Sequence, residues 1–297
     1  MLLSREEMRF DFGGAKLDPV ADRDVIAFAV QQFLYGEVTG IQVGHWLYNA
    51  PDLDAARFFA RQSLEEMQHV GNFLRILEIL GVEAQPAHPA IRFLATGMMP
   101  STFEEHVALE MALGEGLVLE AFYALIDTVE HPEIVAILKR GVRQEESHVA
   151  FGERRTKAAI ESRPALRRRL LGTCLMSLWV VSRFGRYLEK KMPPEHPLLR
   201  QIPAFVAHVV KNAEIRLRRI GVLDRPLASI GPAARVALVG ESYATKAVLG
   251  FLDVLAAPFR LLPWFARKRL TETYLSDPMV RGHALKAQSA DDAEAST

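Results

Sequence analysis

Gly141-Val142-Arg143-Gln144-Glu145-Glu146-Ser147-His148-Val149-Ala150-Phe151-Gly152-Glu153 places a glutamate and a histidine three residues apart, in a segment whose apolar residues recur at helical spacing. On an α-helix, positions i and i+3 leave the same face about one turn apart, so the Glu145 carboxylate and the His148 imidazole can reach one metal ion. One such pair is weak evidence, because a chain with nine histidines should hold on the order of one Glu-x-x-His by chance. This chain holds a second, Glu66-Met67-Gln68-His69, and a lone glutamate lies about thirty residues upstream of each: Glu37 before Glu66, and Glu115 before Glu145.

Thirty residues is the separation expected of two antiparallel helices joined by a short turn, with partners returning to the same height. Asn49-Ala50-Pro51-Asp52 and Glu130-His131-Pro132-Glu133 are polar breaks with proline at the right places. The repeated hairpin predicts four helices that aim four carboxylates and two imidazoles into one core. Helix 3 leaves a choice, because Glu104, Glu105, Glu110, Glu115 and Glu120 all fall on it. Glu115 is preferred, since its distance to Glu145 nearly matches that of Glu37 to Glu66 and Gly114-Glu115 echoes Gly36-Glu37; Glu120 stays as the alternative. Glu65 and Gln144, each preceding a glutamate of a pair, are placed to reach the histidine of the opposite hairpin and fix its tautomer.

In the order Glu, Glu-x-x-His, Glu, Glu-x-x-His, residues 20–160 resemble the ferritin-like di-iron carboxylate superfamily. Gly141 through Glu153 is similar to the corresponding stretch of aldehyde-deformylating oxygenases. The resemblance implies an all-α fold, a ferritin-like four-helix bundle with a long helix 2–3 crossover, and additional C-terminal helices. It implies that Glu66 and Glu145 bridge two metals, with Glu37 and Glu115 as terminal ligands and His69 and His148 one on each ion. Iron is the expected metal, and manganese the other that so carboxylate-rich a donor set suits. The implied activity is O2 activation for oxidation of an apolar small-molecule substrate, with electrons from a ferredoxin-like donor; the alternative is a ferroxidase or metal-binding protein without organic substrate. A homodimer is expected. Phe73, four residues after His69, stands where ribonucleotide reductase small subunits carry their radical tyrosine, which argues against that activity.

Composition sets the outer limits. The formal net charge is zero, which offers no footprint for nucleic acid. The single cysteine, Cys174, excludes an internal disulfide and a rubredoxin-type Cys-x-x-Cys site. Met1-Leu2-Leu3-Ser4-Arg5-Glu6-Glu7 turns charged too early for a signal peptide, so a cytoplasmic protein is expected. Residues 1–17 read as an irregular arm, 18–162 as the metal-binding bundle, 163–282 as further helices packed on it and 283–297 as a disordered tail.

Within the bundle, Asp18-Pro19 predicts the start of a helix running to Tyr48, and Asp52 to Leu80 a second, stopped by Gly81. Val82 to Pro100 is the crossover. Overlapping capping boxes at Ser101 and Thr102 start helix 3, which runs to about Val129; helix 4 covers Pro132 to Ser162. Gly36, Gly40 and Gly44 form a stripe beside Glu37, to be explained by close helix packing or by room for a substrate. Further on, Phe259 through Arg269 is apolar and basic together; packing on the bundle is its commoner use, contact with a membrane surface or partner the other.

Overall fold

The computed structural model describes residues 1–40, 46–47, 49–97, 100–191 and 195–261. Seven long helices account for most of them: α1 (Arg23–Gly40), α2 (Leu53–Ile79), α3 (Phe103–Thr128, in three segments), α4 (Pro132–Ser162), α5 (Leu166–Lys191), α6 (Ile202–Arg219) and α7 (Pro232–Ala256). Among the described residues there is no strand, only an isolated parallel bridge between Leu17 and Val129. No helix among them is long and apolar enough to cross a membrane.

Local chemistry sets the helix ends. The Asp52 carboxylate accepts from the Ala55 amide at the head of α2, and Gly81 adopts φ 64° just past its end, a conformation that favours glycine. At the head of α3 the Thr102 hydroxyl accepts from the Glu105 amide, while the Glu105 carboxylate reaches back to the Ser101 amide and hydroxyl. Pro132 opens α4, and the His131 ring caps it by accepting from the Ile134 amide.

Four expectations are refined by the structure. Asp18-Pro19 starts a turn in which the Asp18 carboxylate accepts from Val20 and Ala21, so α1 proper begins at Arg23. The crossover is partly helical, through Pro89–Arg92 and a π-helical turn Phe93–Gly97. The middle of α3, Val107–Glu115, is π-helical, between α-helical Phe103–His106 and Gly116–Thr128. The N-terminal arm holds one helical turn, Arg5–Met8, headed by a capping box at Ser4, and Leu3, Met8, Phe12 and Leu17 are buried. The stretch of helix 1 over residues 41–45 and the tail 283–297 lie outside the described residues.

Helix α1 packs on α2, α3 on α4, and α2 on α4. Ile26, Val30, Phe73, Ile76, Leu119, Phe122 and Leu138 fill the space between them. A second apolar layer, with Leu113, Leu170, Cys174, Leu217 and Leu238, joins α3 to α5, α6 and α7. Arg216 of α6 is fully buried and paired with Glu153 of α4, whose other oxygen accepts from the Leu2 amide. That ion pair ties the arm, α4 and α6 together.

Candidate metal centre

Helices α1, α2, α3 and α4 each bring acidic side chains inward to one place. Glu37, Glu66, His69 and Glu145 form one group of donors, and Glu66, Glu115 and His148 a second, with donor atoms inside each group within 4.8 Å of one another. Glu66 belongs to both. His69 Nδ1 lies 3.0 Å from Glu37, 3.0 Å from Glu145 and 3.7 Å from Glu66. His148 Nδ1 lies 3.5 Å from Glu66, 3.5 Å from Glu145 and 3.9 Å from Glu115. Glu66 and Glu145 therefore each present one oxygen to either imidazole, while Glu37 serves the His69 side and Glu115 the His148 side.

Both imidazoles point Nδ1 inward and Nε2 outward. His69 Nε2 meets Gln144 Oε1 at 2.8 Å, and His148 Nε2 meets Glu65 at 2.8 Å. An acceptor on Nε2 holds the proton there and leaves Nδ1 free as a donor of electrons to a cation. Glu120 stays apart: it accepts from Asn212 and faces His208 at 3.7 Å.

The electrostatics are those of a cluster short of positive charge. Burial, with Glu66 beside it, holds Glu37 well above the usual carboxylate range, and burial does the same to Glu115 against the pull of His148. Burial also opposes ionisation of Glu145, yet His148 and His69 outweigh it and draw that carboxyl down to about 2. Both imidazoles are disfavoured as cations by burial, and the surrounding carboxylates reverse this and raise them. Protons thus supply the balancing charge that a bound cation would supply instead. Fit to a metal is supported by two buried atoms that lack a hydrogen-bond partner, His148 Nδ1 and Glu115 Oε2. Donors of this kind, with no sulfur among them, suit iron or manganese.

The carboxylates form one polar wall of a cavity of about 440 Å³, whose other walls are mostly apolar and include Phe33, Leu94, Leu117, Phe184 and Phe205. Two of the three stripe glycines are accounted for. A side chain at Gly36 would meet nothing within 4 Å, so this position opens the cavity beside Glu37; at Gly40 a Cβ would stand 3.0 Å from the Glu66 carboxyl carbon, so this glycine lets that carboxylate lie close. Gly44 lies outside the described residues.

Several neighbours escaped sequence reasoning. Gln62, one turn before Glu66, donates to Glu66 and to Glu115 at 2.9 Å; a polar residue on the buried face of α2 was the available signal. His106 is buried, stacked on Trp46 and 2.6 Å from Glu110, and all three line the cavity. Tyr123 donates to Glu146, which Arg5 also holds. Phe73 packs between Phe33 and Phe122, so no phenol stands there.

Glu120 gives a prediction of its own. Burial pushes its pKa from 4.5 up to about 8, Asn212 only partly offsetting the shift. A carboxyl raised in the folded state binds protons more tightly there than when unfolded, so its contribution to stability is lost as pH rises from about 4.5 to about 8. Glu120→Gln should flatten thermal stability across that window and raise it at the upper end, by a few kcal/mol as an order of magnitude. Parallel slopes for variant and wild type in pH-resolved thermal melts would contradict this.

The chain matches no protein-family model, no curated protein and no solved structure.

Proposed function

We propose that this chain is a non-haem di-iron oxygenase or oxidase of ferritin-like architecture acting on an apolar organic substrate. The observation that carries the reading is the junction of a buried carboxylate–histidine cluster with a cavity that is mostly apolar elsewhere. Glu66 and Glu145 are assigned as the shared ligands, Glu37 and His69 to one ion, Glu115 and His148 to the other. Two iron ions held there would supply the electrons and Lewis acidity for O2 activation, replenished by a ferredoxin-like donor.

The protein's own residues have separable tasks. Glu65 and Gln144 fix the imidazole tautomers, and Gln62 orients Glu66 and Glu115. The apolar walls select the substrate and keep bulk water from the reacting atoms. A ferroxidase has no need of such a cavity, which favours an organic substrate over iron oxidation alone.

Oxygen uptake by iron-loaded protein supplied with a ferredoxin-type reductant should rise with one class of apolar compounds, each turnover matched by oxidised product. Turnover of Fe(II) alone, with no compound stimulating it, would reject the reading. Gly36→Leu places a side chain in the open space beside Glu37. Metal content and folding should be preserved while kcat/KM for the bulkiest accepted substrate falls about tenfold or more, a pocket effect of roughly 1–3 kcal/mol.

A further inference from the structure

Helix α7 exposes large apolar residues over its last third. Its packed half is seated by Leu238 and Ser242, both buried, and by Lys246, whose Nζ lies 3.3 Å from Glu105. At about 100° per residue, this face continues as Leu249, Asp253 and Ala256. Val248, Phe251, Leu252 and Leu255, at positions i, i+3, i+4 and i+7, share the opposite face. They are 57%, 63%, 51% and 51% exposed, and every residue from 247 to 259 is exposed. A helix that only completed the core would show the reverse pattern.

What covers this face is indicated by the chain around it. Between Asp253 and Glu272 the sequence has four basic residues, Arg260, Arg267, Lys268 and Arg269, and no acidic one, in a protein whose formal net charge is zero. Phe251, Phe259, Trp264 and Phe265 accompany them. Aromatic and aliphatic groups on one face with clustered cations nearby are the chemistry of a segment lying in the headgroup region of an anionic bilayer.

We infer that the outward face of α7 from Val248 to Leu255 docks on the surface of a membrane containing anionic lipid, as a peripheral and not a spanning contact. Flotation of the full chain with vesicles of phosphatidylcholine, alone or with phosphatidylserine, tests this. The wild type should float with the mixed vesicles, less with phosphatidylcholine alone, and less with the mixed vesicles as salt rises. Phe251→Asp/Leu255→Asp, at exposed positions, should lower the bound fraction about tenfold or more without changing helicity or metal content. Arg267→Glu/Lys268→Glu should abolish the preference for phosphatidylserine. Wild-type protein left unfloated by both vesicle types would overturn the inference. So would a wild-type dimer, seen by sedimentation, that Phe251→Asp/Leu255→Asp converts to monomer, because the face would then belong to a second copy.

Discussion

Chelation of metal from the wild-type protein should lower its thermal midpoint by about ten degrees, and Glu145→Ala should not respond to the same treatment. An ion that binds only the folded state stabilises it by ~2.7–4.1 kcal/mol when present at 100–1,000 times its dissociation constant. For a domain of this size each kcal/mol corresponds to roughly 2–4 °C. Glu145 is the residue whose loss should matter most, since its two oxygens face both imidazoles, 3.0 Å from His69 and 3.5 Å from His148. Metal per chain should fall from about two to near zero in the variant. The variant should also melt below the metal-free wild type, because His69 and His148 lose a partner in a fully buried place. Glu145→Gln, which keeps the volume, separates lost charge from lost packing. Metal content equal to wild type in both variants would remove Glu145 from the centre.

The second large effect is predicted at Gly152. Here α4 meets the π-helical middle of α3 so closely that a Cβ would stand 2.6 Å from the Ala112 amide nitrogen, 2.6 Å from Met111 Cβ and 2.8 Å from the Val107 carbonyl oxygen. Two of these atoms are backbone, which cannot turn aside as a side-chain tip can. Gly152→Ala therefore has to separate the two helices that carry Glu115 and His148. We expect a loss of about 3 kcal/mol or more, the upper end for overpacking, together with weakened metal retention. Gly36→Ala is the matched control, since its Cβ meets nothing within 4 Å, and it should gain up to about 1 kcal/mol from helix propensity alone. Chemical denaturation of both variants checks the contrast; equal stabilities would contradict it.

Much of this was legible in the sequence. The ends of α2, α3 and α4 follow from Asp52, Gly81, Thr102 and Pro132, because capping and φ preferences act within a few residues. The six residues that meet in the cluster could be found because they repeat: two Glu-x-x-His pairs and two lone glutamates at matched spacing. The same repeat favoured Glu115 over Glu120. What lacks a repeat was missed. His106 and Gln62 lie close to the centre only through tertiary packing. Arg216 looks in sequence like one of several basic residues in the last turn of α6, yet it is the one fully buried against Glu153. Residues 107–115, Val-Ala-Leu-Glu-Met-Ala-Leu-Gly-Glu, are apolar almost all round and carry no phase from which a change of helical period could be read.

That change of period has a consequence for how the length of α3 can change. Upstream of Val107, helix α3 presents Glu105 to Arg169 and Lys246; downstream, it presents Glu115 to the carboxylate cluster. A π-helical segment advances less per residue around its axis than an α-helical one, so it resets the angle between the two ends. Deleting a single residue between 107 and 115 would restore the α-helical period with the two ends still close to their present phase, because each remaining residue would advance further around the axis. Glu105 and Glu115 would then both still face their partners. A one-codon insertion into a regular α-helix is thus a route to this wide stretch and a one-codon deletion a route back, with the same helices and the same cluster kept at either length.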